Sequence, residues 1–220
     1  QSRLRVFLIG ARLAQSPIAA AFILNRPKSL LSEHLKKSLE ANMDLQWFYN
    51  DLPAPPPLKQ SGLSKIVEKL DKADPRWWPR DEVDRHLGMM TDVHRKRVED
   101  LKKRNEISYR TFYRRRREGM QRAEVRNDDL AGCLRTAVGG SGKQFLIQAG
   151  QGRVKMRVMT PREYARLQGV PDYYNISING IQALTGFGDA VCVPVISWIA
   201  KNVLTPLAES NFCEPSRSTV

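Results

Sequence analysis

Cysteine is scarce in this sequence, with three in 220 residues: Cys133, Cys192 and Cys213. They are odd in number and share no Cys-x-x-Cys spacing. That excludes a disulfide framework and a thiolate zinc site, and predicts a reducing, intracellular setting. Histidine is as sparse, and His34, His86 and His94 lack ligand spacing, so no metal site is expected. No apolar run approaches the roughly 20 residues of a membrane-spanning helix, and no signal peptide opens the chain. The expectation is therefore a cytoplasmic protein without a membrane partner. Acidic residues are in the minority, 23 against 36 Lys and Arg, and the formal net charge is +13. Such a balance disfavours acidic partners and concentrates a polyanion, which makes nucleic acid the leading partner class. At this length the chain can hold one core, or one domain with part of another.

Two nucleotide-binding loops are also absent. AVGGSGKQ imitates a phosphate loop, but Ala137 stands at the first Gly position and Gln144 replaces the Ser or Thr that would hold magnesium. GFGDAV has Val191 where a dinucleotide fingerprint needs its third Gly.

The opening run RLRVFLIG places Arg3 and Arg5 on one face and then turns continuously apolar from Val6 to Ile9, which predicts a buried strand at the edge of a larger sheet. Because the chain begins at Gln1 and is at once in that run, we expect a piece of a longer polypeptide. Leu31, Leu35 and Leu39 have helical spacing. The proline-rich stretch 51–62 reads as a connector. From Leu63 to Lys72, Leu63, Ile66, Val67 and Leu70 mark one helix face. Trp77 and Trp78, between Pro75 and Pro79, either stack on bases or anchor a small core, the second being commoner for rings in a Pro-bounded loop.

Between Thr91 and Arg126 the chain is strongly basic. Arg114, Arg115, Arg116 and Arg117, interleaved with Tyr109, Phe112 and Tyr113, suit a phosphate backbone. Phe145 to Val158 reads as a hairpin with a Gly-containing turn, its second strand having Val154, Met156 and Val158 on one face and Arg153, Lys155 and Arg157 on the other. Thr160, Pro161 and Glu163 form a capping box that starts a helix, and Gly169 and Pro171 end it. A second helical segment is expected from Ser177 to Thr185, stopping at Gly186. The last, VPVISWIAKNVL, is apolar nearly all round and so expected to be buried.

Three segments in order resemble the last three conserved motifs of the DNA cytosine-5 methyltransferases: QSRLRVFLIG the Gln-x-Arg-x-Arg motif, MTPREYARLQGVPDYY the Thr-Pro-Arg-Glu motif, and GFGDAVCVPV the Gly-Asn-Ala-Val motif, with Asp189 in place of Asn. RNDDLAGCLRTAVGGSGKQ resembles a segment of one branch of that family. The resemblance implies an α+β chain: a target-recognition domain built on a small twisted sheet with helices, plus the C-terminal remnant of an α/β Rossmann-like methyltransferase domain. It divides the chain into a final catalytic strand region 1–15, a recognition domain 16–158, a return to the catalytic domain at 159–205 and a tail 206–220.

The implied chemistry is methyl transfer from S-adenosylmethionine to carbon 5 of a cytosine flipped out of duplex DNA, with a Cys thiolate adding to carbon 6. In the family that Cys lies in Pro-Cys and the ring nitrogen is held by the Glu of Glu-Asn-Val. Neither string occurs here, so the chain alone is expected to bind DNA without methylating it. Arg3 and Arg5 are the counterparts of residues near the flipped base and its phosphate. Asp189, Ala190 and Val191 are the counterparts of a turn bordering the cofactor, and Asp189 also fits a helix N-cap. Arg135 and Thr136 are candidates for reading sequence. Gly139, Gly140 and Gly142 admit close backbone approach, and Ser141, Lys143 and Gln144 offer hydrogen bonds. The missing machinery would lie elsewhere in the same protein or in a partner subunit. A non-enzymatic DNA-binding module and the small subunit of a split methyltransferase are the alternatives.

Overall fold

The computed structural model describes residues 5–9, 26–45, 52–58, 62–136, 142–176 and 179–211. Its elements in chain order are helices α1 (Glu33–Glu40), α2 (Leu63–Ile66), α3 (Arg80–Gly88) and α4 (Asp92–Lys102), then strands β1 (Ser108–Arg117), β2 (Met120–Val125), β3 (Phe145–Gly150) and β4 (Arg153–Val158). Helices α5 (Pro161–Leu167), α6 (Gly180–Asp189), α7 (Val193–Ile199) and α8 (Thr205–Asn211) follow, the last two joined by a π-helical stretch, Ala200–Leu204. They fall into two compact units: Gln1–Arg5 with Lys59–Val193, and Val6–Leu58 with Pro194–Val220.

The larger unit is a mixed α+β layer structure on one antiparallel sheet of order β2-β1-β3-β4. Both hairpins close on two-residue turns, Glu118–Gly119 (φ 49° and 77°) and Gln151–Gly152 (φ 53° and 73°), left-handed at both positions as a type I′ turn requires. The second is the turn expected from the sequence. The first joins strands that the basic run concealed. Strand β3 explains why the sheet is covered on both sides. Its residues FLIQAG send Phe145, Ile147 and Ala149 to one face and Leu146 to the other, and all four are buried. Against the first face α3 and α4 pack Val83, Val98 and Leu101; against the second α2, α5 and α6 pack Leu63, Tyr164, Leu167 and Leu184.

Trp78 anchors the first core. Its ring stacks on His86 at 4.3 Å and meets Phe145 at 5.5 Å, while its backbone N–H donates to the Met156 carbonyl at 3.0 Å. His86 is itself fully buried, with Nδ1 2.9 Å from the Glu82 carbonyl. A carbonyl can only accept, so the ring proton sits on Nδ1 and Nε2 is a buried acceptor without a partner among the described residues.

The second core is pinned by α5. Thr160 Oγ1 accepts the Glu163 N–H at 3.2 Å and the Thr160 N–H donates to Glu163 Oε2 at 2.8 Å, which completes the expected capping box. The Glu163 carboxylate also takes both Arg157 terminal nitrogens, at 2.7 and 2.5 Å, and the Glu68 N–H at 2.8 Å. Arg157 and Glu163 are both 0% exposed. This corrects two expectations. The basic face of β4 is not uniformly open, because Arg157 turns inward to Glu163. The helix expected over Leu63–Lys72 lasts one turn, because the chain leaves it at Val67 in an extended conformation and the Glu68 N–H is captured by Glu163. Tyr164 closes the same corner: its hydroxyl accepts the Gln144 N–H at 2.7 Å, and burial pushes its phenol up to about 12.

In the smaller unit Ser32 caps α1 and Leu39 is buried on the predicted stripe, while residues 52–58 form neither helix nor strand. Residues 6–9 were expected to form a buried strand. They are exposed instead, Val6 at 78% and Leu8 at 85%, and the sheet register pairs them with none of its strands. The expected burial of the last helix also fails, since Val193, Val195 and Ile196 are exposed. Within Gly180–Glu209 an 18-residue window has a mean hydropathy of 1.5, which by length and composition alone is apolar enough to cross a membrane, contrary to expectation. Its helical bonding is interrupted where Ala190 adopts an extended conformation at φ −64° and ψ 163°.

Two outcomes follow. Glu163→Ala leaves a buried guanidinium uncompensated and lowers unfolding free energy by about 3–5 kcal/mol in a urea titration, whereas Arg80→Ala, at the exposed Arg80–Asp84 pair, leaves the midpoint in place. Burial holds His86 below its ordinary 6.5, so the folded chain binds this proton less readily than the unfolded chain does. Stability is full above that ordinary value and falls as pH drops below it. His86→Phe removes this dependence, as melting from pH 7.5 to 5 will show.

Candidate functional site

The segment after β2 carries the residues Ala131 to Thr136. Thr111 Oγ1 holds it to β1 by donating to the Leu130 carbonyl and accepting the Gly132 N–H, both at 3.3 Å. Ala131, Gly132 and Leu134 are buried, and Arg135 is exposed.

The far end of this segment meets α6. At Gly188 the two backbones come so close that an added Cβ would lie 2.2 Å from the Arg135 carbonyl oxygen and 2.7 Å from the Thr136 nitrogen. Only glycine allows that approach. Thr136 Oγ1 then donates to Asp189 Oδ1 at 2.6 Å. From the other side Gln168, 1% exposed at the end of α5, donates to the Phe187 and Ala190 carbonyls at 2.6 and 3.2 Å, and its own carbonyl accepts the Val193 N–H at 2.8 Å. One glutamine thus fastens the helix of the Thr-Pro-Arg-Glu segment to the GFGDAV turn.

The result is a cleft of about 550 Å³ lined by Arg5, Cys133, Arg135, Thr136, Gly188 and Asp189. Two guanidiniums face it, and one oxygen of its single carboxylate is taken by Thr136. That donor set suits a guest rich in anionic or carbonyl oxygens. The Cys133 thiol donates to the Leu134 carbonyl at 3.3 Å, so its proton is directed to a main-chain acceptor.

The structure therefore brings together Arg5, Arg135, Thr136 and Asp189 from segments far apart in sequence. Asp189 is the last residue of α6 and not a helix N-cap, because the helix runs through Gly186 instead of stopping there. Ala190 is half-buried beside it and Val191 exposed. Arg114 to Arg117 lie apart, on β1. Arg3, Gly139, Gly140 and Ser141 are outside the described residues. Gly142 is buried and Lys143 half-buried. Gln144, read as a hydrogen-bonding group for DNA, is a correction: it is 4% exposed, and its amide points to the Cys133 carbonyl at 3.5 Å. Sequence reasoning missed Gly188 and Gln168. The signal for the first was the second glycine of GFG, and for the second a polar residue four positions after Tyr164, on the buried side of the capping-box helix.

A family model described as C-5 cytosine-specific DNA methylase matches residues 1–205. Among curated proteins, the Type II methyltransferase M.NlaX of Neisseria lactamica is 43% identical over 67 residues, 30% of this chain and 21% of that protein. M.HpaII of Haemophilus parainfluenzae is 47% identical over 55 residues, 25% and 15% of the two chains. M1.ScrFI of Lactococcus lactis subsp. cremoris is 28% identical over 163 residues, 74% and 36%. The matched part thus spans between 15% and 36% of these relatives' own lengths. No solved structure matches the chain.

The contact at Gly188 is testable against a nearby glycine. Gly188→Ala drives a methyl into main-chain atoms and costs about 2 kcal/mol or more. Gly186→Ala meets nothing within 4 Å and is neutral or stabilising by up to about 1 kcal/mol. Urea midpoints of the two variants give the comparison.

Proposed function

Because the chain belongs to the C-5 cytosine-specific DNA methylase family, we propose that it is the duplex-gripping and target-reading part of such an enzyme, with residues 16–158 as recognition domain and 159–205 as its return to a Rossmann-like catalytic domain. The observation that carries this is the cleft, where Arg5 of the first motif, Asp189 of the third and the Arg135–Thr136 pair converge. Arg5 serves the flipped cytosine or its phosphate, and Arg135 reaches a base edge as a bidentate donor. A net charge of +13 supplies sequence-independent attraction to the duplex.

S-adenosylmethionine fits one edge of this arrangement. Asp189 and Val191 are exposed at a turn that the Gln168 side chain holds rigid, so main chain and side chain can border the bound cofactor there. When bound, the cofactor supplies the methyl group. The remaining cradle and the nucleophilic thiol come from further polypeptide, since no Pro-Cys and no Glu-Asn-Val occur among the 220 residues. Exposure of the apolar residues Val6 and Leu8 supports an association with such polypeptide. We place the protein in the cytoplasm and in a restriction-modification setting, by analogy with the Type II methyltransferases it resembles.

A filter assay with labelled methyl donor and mixed-sequence duplex tests the reading. The chain alone retains duplex in a salt-dependent way and incorporates no label; incorporation appears once a polypeptide bearing the Pro-Cys and Gly-rich motifs is added. Arg135→Ala weakens preferred over non-preferred sites by about 1–3 kcal/mol. Label transferred by the 220 residues unaided, or no retention of duplex at low salt, sinks it.

A further inference from the structure

We propose that Arg115 and Arg122 form a two-arginine clamp for a backbone phosphate of duplex DNA, on the outer face of the β1–β2 hairpin. The inference rests on the DNA-gripping reading above and adds a residue, Arg122, and a geometry to it.

Residues opposite one another in an antiparallel pair project to the same side. The register sets Arg115 against Arg122, flanked by Tyr113 against Glu124 and Arg117 against Met120. Phe112, Ala123 and Val125 occupy the alternate positions and are buried, at 0%, 0% and 2% exposure, so Arg115 and Arg122, each half-buried, lie on the face turned away from that first core. The run of four arginines is therefore divided. Arg114 belongs to the inner side, with its Cζ 5.0 Å from the Phe145 ring centre and its Nε buried, and Arg115 and Arg117 belong to the outer.

Charge on the outer side is not balanced. Glu124, the acid there, accepts from the Tyr113 hydroxyl at 2.7 Å and from Arg117 Nε at 3.0 Å. Burial raises the Glu124 carboxyl, yet these two bonds and the neighbouring guanidiniums hold it below the usual range, so it stays an anion committed to Arg117. Neither Arg115 nor Arg122 has a carboxylate within 4.0 Å among the described residues. Arg115 lies over the Tyr113 ring at 5.1 Å instead. Like charges directly opposite on paired strands destabilise a sheet. A phosphate seated between them reverses the sign of that interaction, and each guanidinium offers a planar pair of donors to its oxygens.

Fluorescence anisotropy of the full 220-residue chain with a mixed-sequence duplex, between 50 and 200 mM salt, tests the clamp. In the Arg115→Gln, Arg122→Gln double variant, which releases the one clamped phosphate, the slope of log affinity on log salt becomes shallower by about 1, so the loss of affinity across that range shrinks about fourfold. The single Arg122→Gln variant gives a smaller change of the same sign, because Arg115 still faces the phosphate, and keeps the test alive if the double variant folds poorly. Without DNA and at low salt, Arg122→Gln melts no earlier than the parent, since a repulsion has been removed. Parent binding with an unchanged slope in both variants overturns the clamp and leaves the recognition reading standing. A parent chain that binds no duplex defeats both.

Discussion

The Glu163 carboxylate, with no access to solvent, accepts four hydrogen bonds: two from Arg157 on β4, one from the Thr160 N–H at the start of α5 and one from the Glu68 N–H just after α2. A carboxylate taken out of water is tolerated only when its oxygens are saturated with donors. Each of its partners is consequently fixed in place: the last strand of the sheet, the first turn of the following helix and the chain that would otherwise have continued α2. From that corner α5 runs on to Gln168, and Gln168 sets the turn that closes the cleft. The cleft geometry is thus inherited, through one short helix, from a buried ion pair some distance away.

Much of this could be read from residues. Thr160, Pro161 and Glu163 announced the capping box because every group in that motif is within three positions of the next. The hairpin 145–158 was legible because its turn needs left-handed residues and its strands are apolar. Trp78 was legible as an anchor from its proline neighbours. What escaped was long-range. Leu63, Ile66, Val67 and Leu70 have a helical period, yet Glu163, 95 positions away from Glu68, competes for the same backbone and prevails. Arg157 falls on the basic face by parity, and only the position of Glu163 turns it inward. Strands β1 and β2 were hidden because the arginines that decorate them resemble a solvated run.

The candidate cleft shows the same division. Arg5 and Asp189 were singled out from motif resemblance and Arg135 and Thr136 from their place in the recognition segment, but that these four would line one cavity is a property of the path between them. Gln144 shows the opposite error. A polar residue next to glycines looked free to reach outward, whereas the hydroxyl of Tyr164 draws its backbone, and the Cys133 carbonyl its amide, into the interior.

At Gly188 the helix touches the carbonyl of Arg135 and the nitrogen of Thr136, atoms that every amino acid possesses. Docking of this kind is blind to what the two residues carry beyond Cα. Evolution can therefore exchange the pair of side chains that looks into the cleft while the peptide bond beneath them keeps its seat, so that a change in the lining of the cleft need not be accompanied by a change of scaffold.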